Sequence, residues 1–204
     1  AFVQAGCQEV ITYSLTTIEQ LMKIMPEHLI EANPPVALQN PLSLERSVLR
    51  PTLRHSILET VAKQIKDGTK QIAVFEIARV FRSNNGSLPT EKEMVCGAVA
   101  GYQTDRWNQV TPEHLNFFDA KGLVDSAFTV LRMRNTYEAR SEPAVSDMKF
   151  RMTSQASFIK SQELLSGVIG EMEMELLAEF GIDIPVTLFE FDLTTILDAV
   201  NRKT

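Results

Sequence analysis

The side chains best equipped for metal or acid–base chemistry are three histidines, His28, His55 and His114, and two cysteines, Cys7 and Cys96. A metal centre needs three or four such ligands at short intervals, and these five lie far apart, so the histidines read as surface or core imidazoles and no metal is expected. The cysteines sit in apolar runs and read as reduced core thiols, as in a reducing, cytoplasmic compartment. Arg46, Arg50 and Arg54 recur every fourth residue, the spacing of a cationic stripe for phosphates. Pro51 interrupts any helix that would align them, so a solvated or interface-paired set is expected instead. Glu171, Glu173 and Glu175 alternate with Met172 and Met174 and read as a solvated turn entering a helix, not as an acidic site. No Gly-x-Ser-x-Gly elbow, Gly-x-Gly-x-x-Gly turn or P-loop occurs. Gly97 and Gly101 fall inside a strand-like run, where close packing or a bulge is the simpler reading. Asn85-Gly86-Ser87 matches a glycosylation acceptor, but the same residues make a tight turn.

Two charges stand apart from this list. The stretch FEIARVF, Phe75 to Phe81, is apolar on both faces and reads as a strand at the centre of a sheet, yet it carries Glu76 and Arg79. Burying either unpaired is costly, so each must find a partner within the fold or across an interface. The segment NPLSLERSVLRPTL, Asn40 to Leu53, lies upstream, and its stretch from Asn40 to Arg50 is a candidate to pair with them. Asn40, Pro41, Arg50, Glu76 and Arg79 are therefore the candidate structural or subunit-interface residues.

The elements that must position these residues follow from pattern. EVITYSL, Glu9 to Leu15, has strand composition, and Thr16 with Glu19 has the spacing of a helix capping box, predicting a helix to about Met25. Pro26 and Asn33-Pro34-Pro35 return the chain as a loop to a short strand, Val36 to Gln39, ended by the turn at Asn40-Pro41. From Leu53, Ile57, Leu58, Val61, Ala62 and Ile65 share one helical face, with Gly68 placed to stop the helix. Asn84-Asn85-Gly86 predicts a hairpin from the FEIARVF strand into a second buried run, Met94 to Tyr102. Asp119 caps a predicted helix whose face is Leu123, Val124, Ala127, Phe128 and Leu131. Strands follow near 136–140, 156–160, 164–171 and 186–193, with a helix near Glu173 to Phe180 stopped by Gly181 and a last helix from Thr194. Strand runs with helices between them predict an α+β fold with a mainly antiparallel sheet.

At 204 residues and 44% apolar content one domain, 1–204, is expected, with a core that needs no disulfide or metal. The net charge of −6 argues against a stand-alone nucleic-acid binder. No apolar run reaches the roughly 18 residues that span a bilayer, so no membrane partner is expected. The chain starts at Ala1 and stops at Thr204 after a helix-like run, which reads as a piece of something longer.

Taken in order, GCQEVITYS (Gly6 to Ser14), NPLS (Asn40 to Ser43), SVLRPTL (Ser47 to Leu53), FEIARVF, LPTE (Leu88 to Glu91), the Gly97 to Trp107 segment, FFDAKGLV (Phe117 to Val124) and GVIGEM (Gly167 to Met172) resemble the catalytic-like domain of the phenylalanyl-tRNA synthetase beta chain. The resemblance covers nearly the whole chain. It implies a class II synthetase fold in which an alpha chain performs adenylation and transfer, using ATP and magnesium, while this domain packs against it in an α2β2 assembly and holds no cofactor. Partners implied are the alpha chain, the remainder of the beta chain, and tRNA through the complex.

The resemblance also implies where catalysis would have been. Active class II sites carry an arginine at the end of the second signature strand with an acid shortly after it; here the stretch is Phe81-Arg82-Ser83-Asn84, and the acid is missing. They carry a glycine-rich strand and helix with a second ATP-binding arginine near the C-terminus, and Leu188 to Val200 has neither glycine nor arginine. Losing such positioned charges removes the electrostatic basis of catalysis. No catalytic residue and no activity are therefore expected of this chain alone. Two departures from the family pattern are Ala78, in place of a glycine common in FEIGRVF, and Arg151 to Ala156, where a His-Pro-Gly-Arg-Ser-Ala-like stretch is usual. A free-standing paralogue that binds a ligand is the alternative expectation, and a deep pocket with convergent polar groups is its signature.

Overall fold

The computed structural model describes residues 1–41, 43–84, 87–103, 113–133, 135–139, 156–161 and 164–201. Its centre is a seven-stranded sheet of order β1-β4-β5-β9-β8-β7-β6, built from Gln8–Glu9 (β1), Gln71–Asn84 (β4), Ser87–Gly101 (β5), Asn135–Ala139 (β6), Ala156–Ser161 (β7), Leu164–Glu171 (β8) and Val186–Asp192 (β9). Every pairing is antiparallel except β1 with β4. A separate short ribbon pairs Leu15–Thr16 (β2) with Val48–Leu49 (β3). The expected α+β architecture with a mainly antiparallel sheet is the one observed.

Helices cover both faces because both faces are apolar. One face, with Ile72, Val74, Cys96, Ala98 and Leu188, packs under Ile18–Ile24 (α1), Arg54–Lys66 (α3) and Met174–Glu179 (α5) through Leu21, Ile57, Leu58, Val61 and Leu176. The other, with Phe75, Val95, Val99, Ile169, Phe189 and Phe191, packs under Phe2, Phe117–Val130 (α4) and Leu193–Asn201 (α6). Each fully buried aliphatic or aromatic side chain here contributes roughly 1.5–3 kcal/mol. Gly97 belongs to this close packing, since a Cβ there would strike the Phe189 ring and the Val74 carbonyl oxygen. Gly68 ends α3 with φ +83°, a left-handed conformation that costs glycine nothing.

Several local expectations need correction. The FEIARVF strand is not central: β4 lies beside the two-residue edge strand β1, and Ile77 is 42% exposed. Its apolar pattern arises because β4 runs past the sheet as a long ribbon with β5, so that burial changes along its length. The Glu9 to Leu15 strand splits into β1 and β2, its middle being tied to side chains rather than to a ladder. The capping box uses Thr17 and Gln20, one residue later than Thr16 and Glu19, because Gln20 accepts from the Thr17 N–H and donates to Thr17 Oγ1 through its own N–H. Pro26 opens a second helix, Glu27–Ala32 (α2), where a loop was expected; proline lacks only an N–H that a helix start leaves unused. The strand at Val36 to Gln39 shrinks to one bridge, Ala37 to Val48. Asn116, not Asp119, is the N-cap of α4, with Asp119 as the reciprocal partner in its capping box. The turn residues Asn85 and Gly86 and positions 151–155 lie outside the described residues, although Asn84 and Ser87 pair across the hairpin as expected.

Candidate functional site

Strand register sets three side chains in a row on the α3 side of the sheet. Glu76 on β4 stands opposite Cys96 on β5, which stands opposite Glu190 on β9. The inter-strand spacing puts the two carboxylates about 9–10 Å apart, with the thiol between them. All three are buried. Two carboxylates in such a place each require donors, and the segment from Thr12 to Arg54 brings them.

Glu76 Oε1 accepts from the Thr12 N–H at 3.1 Å and from Arg50 Nη1 at 3.1 Å, and Oε2 accepts from Thr12 Oγ1 at 2.7 Å. Arg50 Nη1 also donates to Thr12 Oγ1 at 2.8 Å and to the Tyr13 carbonyl at 3.3 Å, while its Nε donates to the Arg79 carbonyl at 3.3 Å. The Arg50 carbonyl in turn accepts from the Phe81 N–H, and the Phe75 carbonyl from the Val10 N–H. The outer edge of β4 is thus closed by two pieces of chain far apart in sequence. An open edge is a template for unwanted strand pairing, and this closure removes it. Arg50 and Glu76 have side chains only 3% and 2% exposed.

Glu190 repeats the arrangement. Its Oε1 accepts from Thr52 Oγ1 at 2.7 Å and from the Leu53 N–H at 3.1 Å, and its Oε2 meets Arg54. Leu53 is the N-cap of α3 and has no side-chain acceptor of its own; Glu190 accepts its N–H, the Thr52 hydroxyl oxygen accepts the Arg54 N–H at 3.3 Å, and the carboxylate meets the positive end of the helix dipole. Arg54 is 12% exposed and borders a cleft of about 340 Å³, whose lining also includes Asn33, Thr52, Phe81, Arg82 and Glu190.

Cys96 is the neutral member of the row. Burial pushes its thiol well above the ordinary value, Glu190 and Glu76 push it further, and Arg54 and Arg50 only partly offset them. It remains a protonated, inert thiol, and Cys7 is likewise buried and unpaired, raised to about 11 by burial. The row therefore offers no nucleophile and no free base, and no group of metal-ligating side chains occurs among the described residues.

The arginine set resolves differently from the expectation of solvated or interface-paired residues. Arg50 and Arg54 are drawn inward to glutamates, and Arg46 lies over the Tyr13 ring with its guanidinium carbon 3.8 Å from the centroid. Arg79 faces outward and pairs with Glu91 at 2.9 Å, an exposed ion pair of little energetic weight. Asn40 and Pro41 are exposed. Thr12, Thr52, Arg54, Cys96 and Glu190 were not singled out as a site from sequence. The signal for Glu190 was present: Phe189-Glu190-Phe191 places an acid inside an apolar strand just as Phe75-Glu76-Ile77 does.

A family model described as the phenylalanyl tRNA synthetase beta chain CLM domain matches residues 1–193. The chain is 28% identical over 200 residues to the phenylalanine–tRNA ligase beta subunit of Dehalococcoides mccartyi, covering 97% of this chain and 24% of that protein. It is 31% identical over 195 residues to the beta subunit of Moorella thermoacetica, covering 94% and 23%. Over 145 residues it is 35% identical to that of Streptococcus pneumoniae, covering 69% and 17%. The chain thus spans about a quarter of the length of the first two of these relatives. Among solved structures, a pyrrolysyl tRNA synthetase of Desulfitobacterium hafniense, PylSc, matches with a TM-score of 0.64 at 18% identity, over 96% of this chain and 63% of that one, which establishes a shared class II synthetase fold. With a family model spanning nearly its whole length and that fold beneath it, the chain belongs to the phenylalanyl-tRNA synthetase beta chain CLM domain family.

Proposed function

We propose that this chain is a non-catalytic domain that scaffolds the alpha-chain active site of a phenylalanine–tRNA ligase, in a cytoplasmic α2β2 complex. The observation that carries the reading is the filled sheet face. Where a synthetase of this fold is expected to hold its substrates, Glu76, Cys96 and Glu190 are buried and already satisfied by Thr12, Arg50, Thr52, Leu53 and Arg54. Both oxygens of each carboxylate already accept from donors of the chain itself, so neither glutamate is open to a substrate or a metal ion. Arg82 stands at the end of the ribbon without an acid after it, and β9 and α6 contribute no arginine. ATP and magnesium act on the alpha chain, and tRNA reaches this domain only through the complex.

The experiment is co-purification with the alpha chain, followed by aminoacylation. Binding, together with restored charging of tRNA by a complex otherwise lacking this domain, is expected; an alpha chain that neither binds nor needs it overturns the proposal. A second reading, a ligand-binding module, is favoured by the 340 Å³ cleft beside Arg54 and Arg82, which is within the size range of small-molecule sites. It predicts thermal stabilisation by a small anion, lost in Arg82→Ala, with no alpha chain present.

A further inference from the structure

The buried Arg50–Glu76 pair has an outward consequence. In an extended segment side chains alternate in direction, so when Thr12 turns inward to give Glu76 two hydrogen bonds, Ile11 and Tyr13 must turn outward. They do: Ile11 is 93% exposed and Tyr13 68%. Arg50 fixes the same segment by its bond to the Tyr13 carbonyl. Scattered exposed apolar residues are ordinary on a protein surface. Here, however, two of them are held on a backbone anchored by a buried ion pair, and Arg46 is stacked on the tyrosine.

We infer that the corner formed by Ile11, Tyr13 and Arg46 is the surface on which the alpha chain docks, an inference that rests on the scaffold reading above. Tyrosine and arginine are the side chains that most often carry interface energy, and a preformed backbone lowers the ordering cost of binding. Charge complementarity defines the occupant. Among the described residues no carboxylate pairs with the exposed Arg46, so the alpha chain is to supply one beside an apolar recess for Ile11 and Tyr13. A second copy of this chain fits less well, because a two-fold contact here joins two chains of net charge −6 and brings like corners together.

The test co-expresses a tagged alpha chain of the same organism with this chain as wild type, as the double variant Ile11→Asp/Tyr13→Ser, and as Arg46→Glu. Each variant is also melted by circular dichroism. Wild type is expected to be retained, and each variant to bind roughly 30-fold or more weakly at an unchanged melting temperature. If wild type is retained and both variants bind as well, the docking corner is wrong while the scaffold reading stands. If wild type itself is not retained, the scaffold reading fails and takes this inference with it. Variants that unfold show the corner to be part of the core, which overturns its role as a free surface. A wild-type homodimer in light scattering that the variants break assigns the corner to a second copy and likewise overturns the inference.

Discussion

Glu76 and Glu190 lie on one row of one sheet and gather the same three kinds of donor: a threonine hydroxyl, a backbone N–H and an arginine. What differs is the chain each one captures. Glu76 holds the extended segment at Thr12 and closes the edge of β4, whereas Glu190 holds the start of α3 by the Leu53 N–H, the Thr52 hydroxyl and Arg54. They differ also in access to water, since Arg50 is sealed in and Arg54 borders the cleft. A buried carboxylate is tolerated only when its lone pairs are filled, and the same donor set does this for two structural tasks.

The largest expected effect breaks the sealed half. Glu76→Ala leaves Arg50 buried and unpaired and is predicted to cost about 3–5 kcal/mol, read from urea unfolding. Glu190→Ala removes as many bonds, but Arg54 can hydrate through the cleft, so about 2–3 kcal/mol is expected. Equal costs, or the reverse order, would remove the distinction between the two halves.

Acid acts on the α3 side of the sheet through His55. His55 follows Arg54 and packs at 5.4 Å against Phe180; burial first, then the Lys23 charge, lowers its pKa from 6.5 to about 4. Glu59 also lies 3.6 Å from its Nδ1. Because the folded value is depressed, the unfolded chain takes up the extra proton between those limits. The stability due to neutral His55 is present above about pH 6.5 and lost as pH falls towards 4, by up to about 3 kcal/mol. His55→Gln should flatten that slope in melts taken across the window, while Glu76→Ala should leave it in place. The smallest change lies on the far face: Gly97→Ala forces a methyl against Phe189 and the Val74 carbonyl and is expected to cost about 1–3 kcal/mol in the same unfolding measurement.

Sequence made half of this site legible. Glu76 announced itself because FEIARVF is apolar around it, and the Asn40 to Arg50 stretch was a candidate to pair with it, though nothing local picks Arg50 out of that stretch. Arg79 carried the same signal but faces solvent, because beyond Phe75 only the side of β4 that carries Glu76, Ala78 and Val80 stays covered, and Arg79 lies with the exposed Ile77 on the other. Glu190 was hidden by distance: its donors, Thr52 to Arg54, lie 138 to 136 positions upstream, and only strand register brings them together. The helical face of α3 and its stop at Gly68 were readable because a 3.6-residue period and a glycine are local facts. The shift of the first capping box from Thr16 to Thr17 was not, since adjacent threonines offer the same chemistry and packing chooses between them.

If this sheet face is filled by its own charges, as proposed, it does no adenylation. The most direct test is phenylalanine-dependent ATP–pyrophosphate exchange by the purified chain without an alpha chain. Exchange no higher than the no-protein background is expected; exchange above it that disappears in Arg82→Ala would show that the domain adenylates phenylalanine by itself.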